Sequence, residues 1–304
     1  AENQIAVSSL RSRKFREDKP FAVMCRNIDE IKEHAEVPEE EEKLLLGVER
    51  PIVILKRRQN STVAHAVAPY QDTLGVMLPY SPLHHLLLNG PLKALVMTSG
   101  NVSDEPIAYK NDEAFQRLGN IADYFLFHNR AIAHRCDDSV VRLHGSNLTL
   151  IRRSRGYAPE PIHLARTMKT CVLGVGAEQN ATACILLGDK AFISQHIGDV
   201  ENVETLEFLR GTTNHLVSLT NSKIRAVACD VHPKFSTTKL ASELGAELNC
   251  SVFPVQHHHA HIAALMGEHN VGCIVGIACD GFGYGTDGEA WGGEILSCDA
   301  RGFE

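Results

Sequence analysis

Short apolar runs recur along the chain, each bounded by glycine, proline or polar clusters. Stretches with helical spacing separate them. The runs include FAVMC (21–25), PIVILK (51–56), AVACD (226–230), SVFPV (251–255) and CIVGIACDG (273–281). Such runs predict short buried strands, and the interleaved amphipathic stretches predict the helices that cover them. The alternation places the chain in the α/β class. Helices are expected over 4–16 and 28–34, and over PEEEEKLLL after Pro38, where four acids favour a first turn. Further helices are expected after the VMLPY turn, over 201–220, over STTKLASELGAEL with Ser236 as N-cap, and over HHAHIAALMGEH. SVVRL, LTLIRRSRG and YFLFHN (124–129) read as extended.

A chain of 304 residues exceeds what one core usually fills, so two domains are expected. The stretch GYAPEPIHLARTM carries two prolines. It sets the division at 1–157 for the first domain, 158–168 for a linker and 169–304 for the second. Apolar residues make up 44%, charged residues 22%, and the net charge is −7. That composition excludes a disordered chain and disfavours a general nucleic-acid binder. The nine cysteines are scattered without a C-x-x-C pair, mostly in apolar runs, so reduced core thiols in a cytoplasmic protein are expected. No run approaches the roughly 18 apolar residues that span a bilayer, and AENQIAVSSLRSRK is no signal peptide. Both ends read as cut from a longer chain.

Four stretches carry chemistry. In VQHHHAHIAA, His257 and His261 stand four apart and share one helix face, the spacing of many helix-borne metal pairs. A packed or solvated helix start has the same spacing. In IACDGFGYGTDGEAWGGE, an apolar strand delivers Asp280 at its carboxyl end, a third ligand candidate beside the histidines. Gly281, Gly283, Gly285, Gly292 and Gly293 follow as a candidate phosphate loop, or as a plain surface turn. In LRSRKFREDKP, Lys14 and Arg16 lie in a basic run, with a second cluster at Arg152, Arg153 and Arg155. Two such groups on one domain can clamp a triphosphate or adenylate. In MTSGNVSDEP, Ser99 and Asn101 sit in a polar turn after a strand, where they can hold ligand hydroxyls or simply shape the turn. Asp137, Asp138 and Ser139 before SVVRL are read as metal or phosphate-network residues, or as another turn.

Taken in order, these segments resemble the HypF family of hydrogenase-maturation carbamoyltransferases. LRSRKFREDKPFAVM, DTLGVMLPYSPLHHLLL, VMTSGNVSDEPI, CDDSVVRL and IRRSRGYAP resemble its YrdC-type domain. AFISQHIGDVEN, ACDVHPKFSTTKLA, VQHHHAHIAA and DGFGYGTDGEAWGGE resemble the first lobe of its actin-like (ASKHA, RNase H-like) domain. The resemblance implies a twisted mixed sheet followed by that lobe. It implies an adenylate held by Lys14, Arg16, Ser99 and Asn101, with Arg153 and Arg155 beside it. It implies one iron or zinc ion on His257, His261 and Asp280. The implied reaction takes carbamoyl phosphate and ATP with Mg2+ to carbamoyl adenylate. The carbamoyl group then passes to the C-terminal cysteine of the partner HypE, for cyanide ligand synthesis.

The sequence departs from that pattern at GAEQNAT (176–182), where the family reads G-x-E-L-K-N-T, and it lacks the K-G-x-G-G segment, the acylphosphatase domain and the C-x-x-C modules. An antibiotic-type O-carbamoyltransferase uses the same two domain types in the opposite order. A threonylcarbamoyl-adenosine tRNA-modification protein would take RNA as partner, against which stand HHHAH and the net charge of −7. A scaffold without enzymatic activity is the third alternative.

Overall fold

The computed structural model describes residues 1–102 and 105–304. The chain divides into two compact units, Ala1–Tyr157 and Ala158–Glu304. Among the described residues no helix is long and apolar enough to cross a membrane.

The first unit is built on a mixed sheet of six strands. Helix α1 (Gln4–Arg13) is capped by the Asn3 side chain, which accepts from the Ala6 N–H. Strand β1 (Ala22–Cys25) leads to α2 (Ile28–His34), α3 (Glu39–Leu46), β2 (Ile52–Lys56) and β3 (Thr73–Met77). Helix α4 (Pro82–Leu88) starts with Pro at its first position and the Ser81 side chain as cap. Strand β4 (Ala94–Met97), α5 (Asn111–Leu118), β5 (Val140–His144) and β6 (Asn147–Arg152) complete the unit. The sheet order is β4-β1-β3-β2-β5-β6.

Register explains the core. Val23 pairs with Val76, Val76 with Val53, and Val53 with Val141. These four valines form one row across the sheet, and all are buried. Each contributes about 1.5–3 kcal/mol by leaving water. Ile31 and Leu45 from the flanking helices close over them.

Two expectations fail here. YFLFHN forms no strand: its rings instead pack on α5, with Phe115 to Phe125 and Phe125 to Phe127 centroids at 5.4 and 5.6 Å. Helix α5 buries no residue, so no continuous apolar stripe announced it. Helix α1 also ends at Arg13, because Lys14 takes the capping position and Phe15 turns left-handed at φ 51.

The second unit opens with a long strand, β7 (Ile162–Gly176), which begins within the stretch expected as linker. Pairing with β8 (Thr182–Ile193) starts at Ile162 opposite Ala191 and His163 opposite Lys190, and resumes at Met168 opposite Gly188 after a register shift, so the strand reaches into that stretch. Helix α6 (Val203–Leu219), β9 (Ala226–Asp230), α7 (Ser236–Glu247) and β10 (Ser251–Val255) follow. The sheet order is β10-β9-β7-β8. Ile185, Leu173 and Val227 stand in one fully buried row. Leu209 and Leu216 of α6 and Leu240 and Leu244 of α7 cover it. The opposite face carries small residues, Gly174, Cys184 and Ala228, and stays open as the floor of a cleft.

Ser236 is the first helical residue of α7 and caps nothing; Phe235 precedes it with no side-chain cap bond. The free donors go to Glu178, whose carboxylate accepts from Ser236 N–H at 3.1 Å, Thr237 N–H at 3.2 Å and the Thr237 hydroxyl at 3.3 Å. A carboxylate at a helix start is favoured by the helix dipole as well.

Helix α8 (His257–His269) packs on a hairpin of β11 (Cys273–Tyr284) and β12 (Ala290–Asp299), edged by β13 (Gly302–Phe303). Ile262 and Met266 of α8 meet Ala278, Leu296 and Cys298. No disulfide joins any of the nine cysteines, but Cys136, Cys273 and Cys279 are exposed, so the expectation of core thiols fails for these three.

Candidate functional site

The basic run of the first unit is a set of committed side chains. Lys14 is 3% exposed. Its ammonium donates to the Ser99 carbonyl at 2.9 Å, the Asn101 carbonyl at 2.7 Å and Asn101 Oδ1 at 3.3 Å. The Ser99 hydroxyl donates to the same Asn101 Oδ1 at 2.8 Å. Lys14, Ser99 and Asn101 therefore form one polar nest. Burial, and then repulsion from Arg16, bring the Lys14 ammonium down to about 8. Ser103 and Asp104 of the same stretch lie outside the described residues.

Arg16 holds the loop after it, donating to Lys19 O at 2.7 Å and Pro20 O at 2.6 Å, and lies over the Phe21 ring at 5.0 Å. Burial lowers its pKa to about 10, helped by the charges of Arg11 and Arg152. Arg152 is thus the member of the second basic cluster whose charge reaches Arg16. Arg155 is committed elsewhere: to Asp138 Oδ1 at 2.8 Å, to the carbonyls of Glu49 and Arg50 at 2.9 and 2.7 Å, and over Tyr80 at 3.5 Å. Arg153 donates to Tyr157 O at 2.8 Å. The pair expected beside an adenylate, Arg153 and Arg155, thus ties down backbone, because carbonyls offer a guanidinium fork the same acceptors a phosphate would. Asp138 belongs to that arrangement, and the Ser139 hydroxyl donates to Arg155 O at 2.8 Å.

In the second unit the sequence candidates converge. His257 Nε2 lies 2.8 Å from Asp280 Oδ2, and His261 Nε2 lies 3.2 Å from His257 Nε2 and 3.4 Å from Asp280 Oδ2. One ligand atom from each of the three lies within 4.8 Å of the others. The residues open on the cleft, which encloses about 1200 Å3. Asp230, missed in the sequence, stands behind them: its Oδ2 lies 2.6 Å from His257 Nδ1. Its other oxygen accepts from the His232 N–H at 2.7 Å. The signal was present, since β9 ends in VACD as β11 carries IACD.

This donor set fits a divalent cation. Asp230 accepts a hydrogen bond from the Nδ1–H of His257, which leaves the Nε2 lone pair aimed at Asp280 and His261. Acceptors converging at that distance need a proton or a metal between them. Among the described residues three protein ligands converge here, at the edge of the cleft. The Asp230 hydrogen bond raises the His257 pKa, with burial opposing it. At Asp280 burial pushes the carboxyl up, but the Gly281 N–H and His257 outweigh it and hold the carboxyl low.

The five glycines do not form one loop. Gly281 borders the cleft. Gly283 lies in β11 against His258, where a Cβ would come within 2.3 Å of the ring. A Cβ on Gly285 would strike Trp291, while Gly292 and Gly293 lie in β12. The glycine spacing reads as a loop in sequence; pairing across the hairpin turns most of it into sheet. The neighbouring histidines are structural: His258 is fully buried, and His259 Nε2 lies 3.2 Å from Asp299 O.

Comparison with known proteins places each unit in a family. Residues 1–154 match the Sua5/YciO/YrdC family described as telomere recombination. Residues 167–268 match the HypF Kae1-like domain, and 276–304 the second subdomain of the carbamoyltransferase Kae1-like domain. Fold and site together define a YrdC-like unit joined to a Kae1-like, ASKHA-type unit. The chain is 46% identical over 294 residues to the probable carbamoyltransferase HypF of Methanocaldococcus jannaschii, and 46% identical over 318 to carbamoyltransferase HypF2 of Cupriavidus necator. A crystal structure of full-length HypF in the phosphate- and nucleotide-bound form superposes with a TM-score of 0.93 at 46% identity, covering 100% of this chain and 48% of that one. The HypF structure from T. kodakarensis gives 0.91 at 42% identity, covering 98% of this chain and 39% of that one. The chain belongs to the HypF carbamoyltransferase family. It covers 95% and 98% of its own length in the two curated matches, and spans 38% and 39% of theirs.

Proposed function

We propose that this chain takes part in ATP-dependent carbamoyl transfer in [NiFe]-hydrogenase maturation. In this reading the first unit makes carbamoyl adenylate from carbamoyl phosphate and ATP with Mg2+. The second unit passes the carbamoyl group to the C-terminal cysteine of HypE, and the protein works in the cytoplasm. The observation that carries the reading is the convergence of His257, His261 and Asp280 on an open cleft, in a chain of this family. The nucleotide-bound state of the full-length HypF relative supports ATP as a ligand.

The chemistry assigns work to named groups. Lys14 shapes the Ser99–Asn101 turn and brings positive charge to it, which stabilises an adenylate phosphate and its leaving group. Arg16, with Arg152 near it, adds charge at the same end of the unit. In the transfer step the acceptor thiolate attacks the carbamoyl carbon, the bond from that carbon to the adenylate oxygen breaks, and AMP leaves. Bound by His257, His261 and Asp280, an iron or zinc ion supplies Lewis-acid polarisation or orients the phosphate. Asp230 keeps the His257 ring in the one orientation that presents Nε2.

The test incubates the chain with ATP, Mg2+, carbamoyl phosphate and HypE, and weighs HypE by mass spectrometry. The reading expects a mass gain of one carbamoyl group on the terminal cysteine, lost in Lys14→Ala. Pyrophosphate release that depends on carbamoyl phosphate, without any gain on HypE, restricts the chain to adenylate formation.

A further inference from the structure

The metal-ligand candidates sit on two separate elements, and something must fix their relative position. His257 and His261 come from the start of α8, while Asp280 comes from β11. Residues of β11 that face the helix alternate: Gly276 lies against Ile262, Ala278 packs with Ile262 and Met266, and Asp280 reaches His257. A regular strand would carry residue 283 to the far face. Instead Cys279 pairs with Gly293 and Gly283 with Trp291, so residues 280–282 stand opposite Gly292 alone. Beyond this irregularity Gly283 nevertheless lies against His258 of α8.

At that point two buried side chains meet it. His258 is 0% exposed and Gln256 6%. The His258 ring rests on Gly283 so closely that a Cβ would lie 2.3 Å from its Cε1. Gln256 makes three contacts. Its Oε1 accepts from the His259 N–H at 2.8 Å and caps α8. Its amide group donates to the Tyr284 carbonyl at 3.3 Å and faces His258 Nδ1 at 3.0 Å. Tautomer follows: Nδ1 accepts, so Nε2 carries the proton. That Nε2 is buried without a hydrogen-bond partner among the described residues. An unpartnered buried donor costs stability. A leucine or phenylalanine would fill this space without that cost, so the imidazole is serving the Gln256 contact.

We propose that Gln256 and His258 are positioning residues that clamp the β11 bulge to α8 and so hold Asp280 at ligand distance from His257 and His261. The clamp grips just beyond Asp280, at Gly283 and Tyr284, while Gly276 and Ala278 fix the strand before it. This rests on the reading of the three residues as a metal site.

The test titrates Co2+ into the intact chain and into Gln256→Asn, His258→Phe and Gly283→Ala, following binding and the visible ligand-field spectrum. Gln256→Asn is the decisive variant. Asparagine still caps a helix, but it is one methylene short of the Tyr284 carbonyl. Its melting temperature is expected within a few degrees of the parent, whatever becomes of the buried His258→Phe. The clamp predicts about tenfold weaker Co2+ binding in Gln256→Asn and Gly283→Ala. It also predicts a weaker visible band, as water replaces the Asp280 oxygen. Parent-like affinity and spectrum in both variants overturn the clamp and leave the metal site standing. A parent chain that takes up no Co2+ overturns the metal reading and the clamp with it.

Discussion

His257 Nδ1 and Asp230 Oδ2 lie 2.6 Å apart, the carboxylate at the end of β9 behind the first helical residue of α8. A ring held this way presents Nε2 to the cleft in a single tautomer. Asp230→Asn keeps the shape and can present an amide N–H to Nδ1, which favours the wrong tautomer. Metal affinity is expected to fall by roughly 10–100-fold with the fold retained. Competition with a chromophoric chelator measures it, and circular dichroism checks the fold.

Lys14 gives a pH dependence with two opposite signs. Its folded pKa is lowered from 10.5 to about 8. Under the proposed function, ATP binding through this charge is expected to weaken above pH 8, by up to about tenfold per pH unit. Stability runs the other way. Between the folded and unfolded values the unfolded chain holds more protons, so this group's contribution to stability rises with pH through that window. Calorimetric titration with ATP, and denaturation across the same pH range, check both. Lys14→Met removes both dependences.

Glu178 closes the start of α7 in place of the missing cap. Glu178→Ala leaves the Ser236 and Thr237 donors without that acceptor and is expected to cost about 1–2 kcal/mol. A melting temperature lower by roughly 2–8 °C is the expected readout. Glu178→Gln keeps an acceptor and should fall between.

Arg155 is assigned here to structure, holding the carbonyls of Glu49 and Arg50 together with Asp138. Arg155→Lys keeps the charge but loses the fork, and is expected to destabilise the first unit by about 1–3 kcal/mol. Urea denaturation reads this. If ATP affinity falls with no loss of stability, Arg155 contacts the ligand.

The strands over FAVMC, PIVILK and AVACD were legible from their apolar runs, and Val23, Val53 and Val227 sit buried where the runs place them, whereas β10 over SVFPV buries none of its residues. The His257, His261 and Asp280 convergence was legible from a four-residue spacing and a strand-end acid. What escaped depends on partners distant in sequence. Gly283 reads as a loop glycine until His258 is laid against it, and nothing near Arg155 in sequence announces its bonds to the Glu49 and Arg50 carbonyls. Asp230 was legible in principle, because VACD repeats the IACD signal, but no histidine spacing pointed to it.

The central claim is that His257, His261 and Asp280 hold one divalent metal ion. Elemental analysis of the purified chain, loaded with iron or zinc and dialysed, tests it most directly against His261→Ala and Asp280→Ala. The account predicts one ion per parent chain and under about a tenth of that in either variant, given the loss of one ligand of three. Equal metal content in parent and variants would contradict it.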